Sequence, residues 1–168
     1  MEPIELELTL HGATMPVLVL WDLAVTSKDE LFARVHEELL RRGQVRPSYL
    51  EGVKEREQRY PTGLDFGAFA VALPHVDFEH VLRPALVVAL LREALPFQAM
   101  DDPARQHLCR LAIFPVLTSG EAQLAFLQAV TCALQQPGFY ERFIALQTPQ
   151  EISACLQSML QLSLTGSQ

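Results

Sequence analysis

Apolar residues along this chain recur on two periods, every second residue in some segments and every third or fourth in others. Glu5 to Leu10 alternates acidic and apolar side chains. Across His11-Gly12-Ala13 it meets the apolar run Pro16 to Leu20, which predicts an N-terminal hairpin or a strand with a short extension before it. Ser27-Lys28-Asp29-Glu30 has the form of a capping box, and Leu31, Val35, Leu39 and Leu40 trace the apolar face of a helix ending near Gly43. Pro47 in a first turn, followed by Tyr49, Leu50, Val53 and Lys54, predicts a second helix that stops near Gln58 with Arg56 in its last turn.

Pro61-Thr62-Gly63 reads as a turn in which proline presets φ and glycine supplies positive φ, folding the chain back towards Arg56. Ala68 to Leu73 is wholly apolar, as a strand buried on both faces requires, and Pro74 ends it by removing a ladder donor. His75 therefore stands at a strand's exit. Leu86 to Leu91 and Leu108 to Leu117 predict further strands, the second carrying Pro115 near its end. Three helices follow: Glu121 to Gln135 with Leu124, Leu127 and Leu134 inward, Phe139 to Leu146, and Pro149 to Leu162 with Ile152, Cys155, Leu156 and Met159 on one stripe. This order predicts an α/β fold, a single-domain mixed β-sheet flanked by helices on both sides in three layers. The domain spans 17–163, after an N-terminal extension or first hairpin at 1–16 and before a disordered tail at 164–168.

A chain of 168 residues that is 49% hydrophobic can bury a core without disulfides or metal. The net charge of -7, with Lys28 and Lys54 the only lysines and no basic block with interleaved aromatics, argues against nucleic acid as a partner. No apolar run reaches the roughly 18 to 20 residues of a membrane span, and MEPIELELTL lacks the features of a signal peptide, which implies a cytoplasmic protein. Cys109, Cys132 and Cys155 are scattered, without CxxC, and read as small core residues, not as a disulfide or zinc set. With neither GxxxxGK[ST] nor GxGxxG, nothing points to ATP, a dinucleotide or any other cofactor, so a phosphate would arrive attached to something else.

The segment Arg56 to His80 concentrates the chemistry: an arginine, a turn, a buried strand and a histidine in one run. A neutral imidazole keeps a free lone pair on most molecules near neutral pH and accepts a phosphoryl group well if aligned and if the charge on the phosphoryl oxygens is stabilised. The ring nitrogen that does not attack must be held by an acceptor such as a backbone carbonyl, and the sequence does not say which nitrogen that is. By pattern alone a histidine after proline is more often a satisfied surface or core residue, and Arg56 can equally be a cation favoured by a helix C-terminus. His36, beside Glu37 and Glu38, reads as a solvated residue, and His11 and His107 have no matching partners. Asp101-Asp102 reads as a turn and helix cap, not a cation site.

The ordered series Arg56-Glu57, Pro61-Thr62-Gly63, Gly67, Ala72 and Pro74-His75, followed by Pro84, by Pro96-Phe97 opening a next strand and by Met100-Asp101 closing it, resembles the type 2 EIIA proteins of the bacterial phosphoenolpyruvate:sugar phosphotransferase system. This is the fructose, mannitol and galactitol branch, and the likeness runs from about Leu20 to about Leu160. The resemblance implies a phosphotransferase with a phosphohistidine at His75, served by Arg56, with Thr62 as a weaker hydroxyl donor to the phosphoryl group. Fructose- and mannitol-type members commonly carry a second histidine where this chain has Gln123. Gln123 and His80 both resemble the galactitol type, although His80 reads more readily as a solvated loop residue. The implied partners are phospho-HPr as donor, EIIB as acceptor and, indirectly, the EIIC permease. Phe66, Phe69 and Phe78 would form an apolar docking surface around His75. The alternative is a regulatory protein resembling the nitrogen-type EIIA, whose phosphorylation state controls a target protein; a non-catalytic module is a third reading. The sugar and the oligomeric state lie beyond the sequence.

Overall fold

The computed structural model describes residues 2–10 and 13–166, so His11, Gly12 and the turn expected there lie outside the described residues, as do Ser167 and Gln168. Six strands form one sheet: β1 (Ile4–Leu10), β2 (Ala13–Leu23), β3 (Gly63–Asp65), β4 (Ala70–Ala72), β5 (Ala85–Gln98) and β6 (Gln106–Val116), in the order β1-β2-β5-β6-β4-β3. β2 runs parallel to β5 and β4 parallel to β6, while the other neighbours are antiparallel. α1 (Lys28–Arg41) and α2 (Tyr49–Arg59) lie on one face; α3 (Gly120–Leu134), α4 (Phe139–Ile144) and α5 (Pro149–Gly166) lie on the other.

Residue parity creates the three layers. Successive strand side chains point to opposite faces, so Ala85, Val87, Ala89 and Leu91 of β5 join Leu31, Val35, Leu39, Tyr49 and Val53, whereas Leu86, Val88 and Leu90 join Phe126, Val130, Phe143, Ile152 and Leu156. Both parities are apolar because both faces are covered. The mixed α/β sandwich read from the sequence is thus the fold observed.

Several local expectations change. Phe97 does not open a new strand: β5 continues through a bulge between Leu90 and Leu95 and pairs Phe97 with His107. Pro115 is tolerated because β4 pairs only with Leu111 and Ala112, leaving that edge of β6 beyond β4's end. Ser27 caps α1 by accepting from the Glu30 amide, but the Glu30 carboxylate reaches past it to the Thr26 amide and hydroxyl. Leu40 and Leu124 are exposed, off the stripes that Leu39 and Phe126 bury. His36 is half-buried and stacked on Tyr49 instead of solvated, and Cys132 is exposed, while Cys109 is buried as expected. Asp102 holds the β5–β6 turn by accepting from the Ala104 amide, with no helix there to cap. The 16/17 boundary falls inside β2, and α5 continues through 164–166, which the sequence assigned to a tail.

The most consequential change concerns residues 61–69. Gly63 is extended and begins β3; the chain reverses at Gly67 (φ 97), where the Phe66 amide donates to the Phe69 carbonyl. A Cβ on Gly63 would stand 2.7 Å from the Gln98 carbonyl oxygen, so glycine is needed there for close backbone approach and not for positive φ. Gly63→Ala should therefore destabilise the fold by roughly 1–3 kcal/mol, read as a lower midpoint in chemical denaturation; an unchanged midpoint would contradict the tight approach.

Candidate functional site

The β3–β4 hairpin carries the chain out to Gly67 and back, so that Leu73 returns beside Thr62 at the C-terminal end of α2. The Leu73 amide donates to both the Thr62 carbonyl (3.3 Å) and its hydroxyl (3.1 Å). Pro74 stops the ladder, and the half-buried His75 ring turns back so that Nδ1 lies 2.9 Å from the Leu73 carbonyl oxygen. A carbonyl can only accept, so Nδ1 carries the hydrogen and Nε2 keeps its lone pair.

Burial is the main cause that holds His75 below the ordinary imidazole pKa of 6.5; the Leu73 carbonyl opposes it, the Arg56 charge adds to it and Asp77 works against it. The ring is thus kept neutral, the form that can act as a nucleophile. Arg56, in the last turn of α2, is one-third exposed at 33%. Its Nη1 donates to Asp77 Oδ1 at 2.9 Å, its guanidinium lies 4.7 Å from the centre of the Tyr60 ring, and its Nε is buried without a partner among the described residues. A buried donor left unpaired costs about 1–3 kcal/mol. An arriving anion that accepts from it would recover that loss.

The structure brings His75 and Arg56 into one electrostatic neighbourhood, and it places Asp77, which the sequence did not single out, as Arg56's resting partner. Gln123 sits in the first turn of α3, which begins against Phe78: a Cβ on Gly120 would lie 4.0 Å from that ring. Its Oε1 is buried and unpaired among the described residues. Thr62 is not available as a phosphoryl donor. Only 2% exposed, its hydroxyl donates to the buried Glu57 carboxylate, with oxygens 2.8 and 3.1 Å away. His80 is neither a freely solvated loop residue nor paired with His75; its Nδ1 lies 2.8 Å from Ser48 Oγ and its ring packs over Gly52, where a Cβ would come within 2.8 Å of Nε2. That explains a glycine inside α2, where it costs about 1 kcal/mol relative to alanine. Phe66 and Phe69 are at the far tip of the hairpin, stacked in series with Tyr140, and so do not surround His75. Phe78 remains exposed near the site, at 38%.

Residues 15–159 match the family described as phosphoenolpyruvate-dependent sugar phosphotransferase system, EIIA 2. The chain belongs to this family. Among curated relatives it is similar to the galactitol-specific EIIA component of Escherichia coli K12, 26% identical over 128 residues, covering 76% of this chain and 85% of that one. Among solved structures it is similar to the E. coli mannitol IIA in complex with phosphorylated IIB (TM-score 0.67, 23% identity, 83% of this chain and 94% of that chain). It is also similar to the nitrogen regulatory protein IIA-Ntr of Neisseria meningitidis (TM-score 0.61, 21% identity, 82% and 92%). These two likenesses establish the fold. Type 2 EIIA proteins act as phosphotransfer proteins, and no described helix of this member is long and apolar enough to cross a membrane.

Because protonation of His75 is disfavoured in the folded state, the site adds no pH dependence well above 6.5 and destabilises the fold as pH drops below it. Ring titration by NMR should give a His75 midpoint below 6.5, raised in Arg56→Gln and lowered in Asp77→Asn. A midpoint at or above 6.5 in the unmodified protein would contradict this electrostatic picture.

Proposed function

We propose that this protein accepts a phosphoryl group from phospho-HPr on His75 Nε2 and passes it to an EIIB component, so that a sugar or sugar alcohol is phosphorylated during uptake. The observation that carries the reading is the His75 Nδ1 bond to the Leu73 carbonyl, which leaves Nε2 as the free nucleophile beside a guanidinium. In the forward step the Nε2 lone pair forms a P–N bond as the donor's bond to phosphorus breaks. Nε2 carries no hydrogen beforehand, so no proton has to leave. Transfer to EIIB reverses the roles.

Arg56 turns from Asp77 to the phosphoryl oxygens, where its planar fork of donors and fixed charge suit a loose, charge-spreading transition state. Gln123 contributes hydrogen bonding but no charge, so the electrostatic help rests on Arg56 and the N-terminal turn of α3. His80 acts indirectly by packing the loop after His75 onto α2. The exposed side chains of Tyr60, Phe78 and Leu124 supply the apolar surface on which donor and acceptor dock in turn. A galactitol-like substrate branch is supported by the E. coli galactitol relative together with Gln123 and His80. Transfer between HPr and a permease's EIIB places the protein in the cytoplasm. The regulatory alternative shares His75 and the fold of IIA-Ntr, and differs in having no EIIB acceptor.

The test is labelling from phosphoenolpyruvate with enzyme I and HPr, followed by a chase with candidate EIIB proteins. His75→Ala should take no label, Arg56→Gln should slow transfer by about 10²–10³, and Gln123→Ala should change the rate without abolishing labelling. Label on His75→Ala, or complete loss in Gln123→Ala, would overturn the site assignment. Stable label that no EIIB drains would favour the regulatory reading.

A further inference from the structure

Glu57 is a charged group buried to 3% exposure with no place in the transfer chemistry above. Its neighbour in sequence, Arg56, turns outward to the site, while Glu57, one step of about 100° round α2, turns inward. Burial pushes its pKa above 4.5, with hydrogen bonds from the Thr62 amide and hydroxyl and the charge of Lys28 opposing the shift. Leaving a carboxyl here costs stability unless it is fully bonded, and among the described residues all its hydrogen bonds come from Thr62. The Thr62 amide donates to Oε1 at 3.0 Å, and the Thr62 hydroxyl donates to the carboxylate with oxygens at 2.8 and 3.1 Å.

Those bonds do not end at Thr62. A hydroxyl has one hydrogen and two lone pairs. With the hydrogen directed to Glu57, a lone pair is presented to the Leu73 amide at 3.1 Å. The other end of that same residue, the Leu73 carbonyl, takes the His75 Nδ1 hydrogen at 2.9 Å. The regular β3–β4 pairing stops at Gly63 and Ala72, so beyond it Thr62, through its hydroxyl and carbonyl, is what holds the Leu73 amide.

We infer that Glu57 and Thr62 are positioning residues for phosphoryl transfer, orienting the Leu73 carbonyl and thereby fixing which nitrogen of His75 is the nucleophile. This rests on the reading of His75 as phosphoryl acceptor. Glu57 acts at a distance: it touches neither the ring nor the incoming group, and it works by removing the rotational freedom of a hydroxyl that would otherwise compete with the Leu73 amide. An amide in place of the carboxylate turns one of the two acceptors facing Thr62 into a donor, which weakens the hold on the hydroxyl's hydrogen and competes with the Leu73 amide for the hydroxyl's lone pairs.

The experiment uses full-length protein with ¹⁵N-histidine, reading the His75 tautomer by long-range proton–nitrogen NMR and the labelling rate with phosphoenolpyruvate, enzyme I and HPr. Glu57→Gln and Thr62→Val should each gain the Nε2–H tautomer and label about ten- to a hundredfold more slowly, as loss of an orienting group does elsewhere. Thr62→Ser, which keeps the hydroxyl, should behave as the unmodified protein, and Glu57→Gln with Thr62→Val should be no slower than Thr62→Val alone. Thermal unfolding above the assay temperature is the control. Should Thr62→Val not fold, Glu57→Gln and Thr62→Ser decide. Unchanged tautomer and rate in folded Glu57→Gln would overturn the inference, as would the Nε2–H tautomer in the unmodified protein. Normal His75 labelling beside unaffected variants would remove this relay and leave phosphoryl transfer standing. An unlabelled unmodified protein would remove transfer itself, with the tautomer spectra still judging the relay.

Discussion

The hydrogen bond from His75 Nδ1 to the Leu73 carbonyl, 2.9 Å long, is the contact on which the rest of the site depends. It assigns the hydrogen to one ring nitrogen and leaves the other with its lone pair. Without it a neutral imidazole would divide between two tautomers, and a share of the molecules would present N–H where a lone pair is needed. Burial reinforces this bond by keeping the ring neutral, and the Arg56 charge acts in the same direction.

The fold supplies that contact through the hairpin of β3 and β4. Two short strands would be marginal alone, but β4 pairs with β6 in the middle of a sheet covered on both faces, and Gly63 abuts the end of β5. The Leu73 peptide is thereby held at the meeting point of α2, β3 and β4. α2, on one face of the sheet, brings Arg56 to the neighbourhood of His75, and α3, on the other face, begins against Phe78. Glu38 plays a comparable structural part further off, pairing with Arg41 and Arg42, the latter also bonded to Glu5, so that α1 is tied to β1.

What could be read from the residues alone follows the range of the forces involved. Most strand and helix periods, the Ser27 cap and the role of Pro74 are local and reappear in the structure, although Leu40 and Leu124 fall off the buried stripes and the strand expected from Ala68 begins at Ala70. The pairing of Arg56's neighbourhood with His75 was legible because the intervening motif is short and ordered. Contacts set by other elements were not. Gly63 reads as a turn residue in the sequence because nothing in PTG shows that the Gln98 carbonyl oxygen passes 2.7 Å from its would-be Cβ. Thr62 resembles a donor to the phosphoryl group because the sequence does not reveal that Glu57, five residues earlier, is buried against it and takes its hydroxyl hydrogen. The place of Phe66 and Phe69 depends on where the hairpin turns, and that turn, at Gly67, carries them away from His75. Asp77 carried a signal that was available, a carboxylate two residues beyond the histidine, but its partner only becomes evident in three dimensions.

The most direct test of the account is the identity of the phosphorylated nitrogen. Protein carrying ¹⁵N-histidine, phosphorylated and examined by nitrogen NMR, reports phosphorus coupling at one ring position of His75. The account predicts that coupling at Nε2, with Nδ1 still bearing its hydrogen. Coupling at Nδ1 would mean that the Leu73 carbonyl does not hold the ring, and would contradict it.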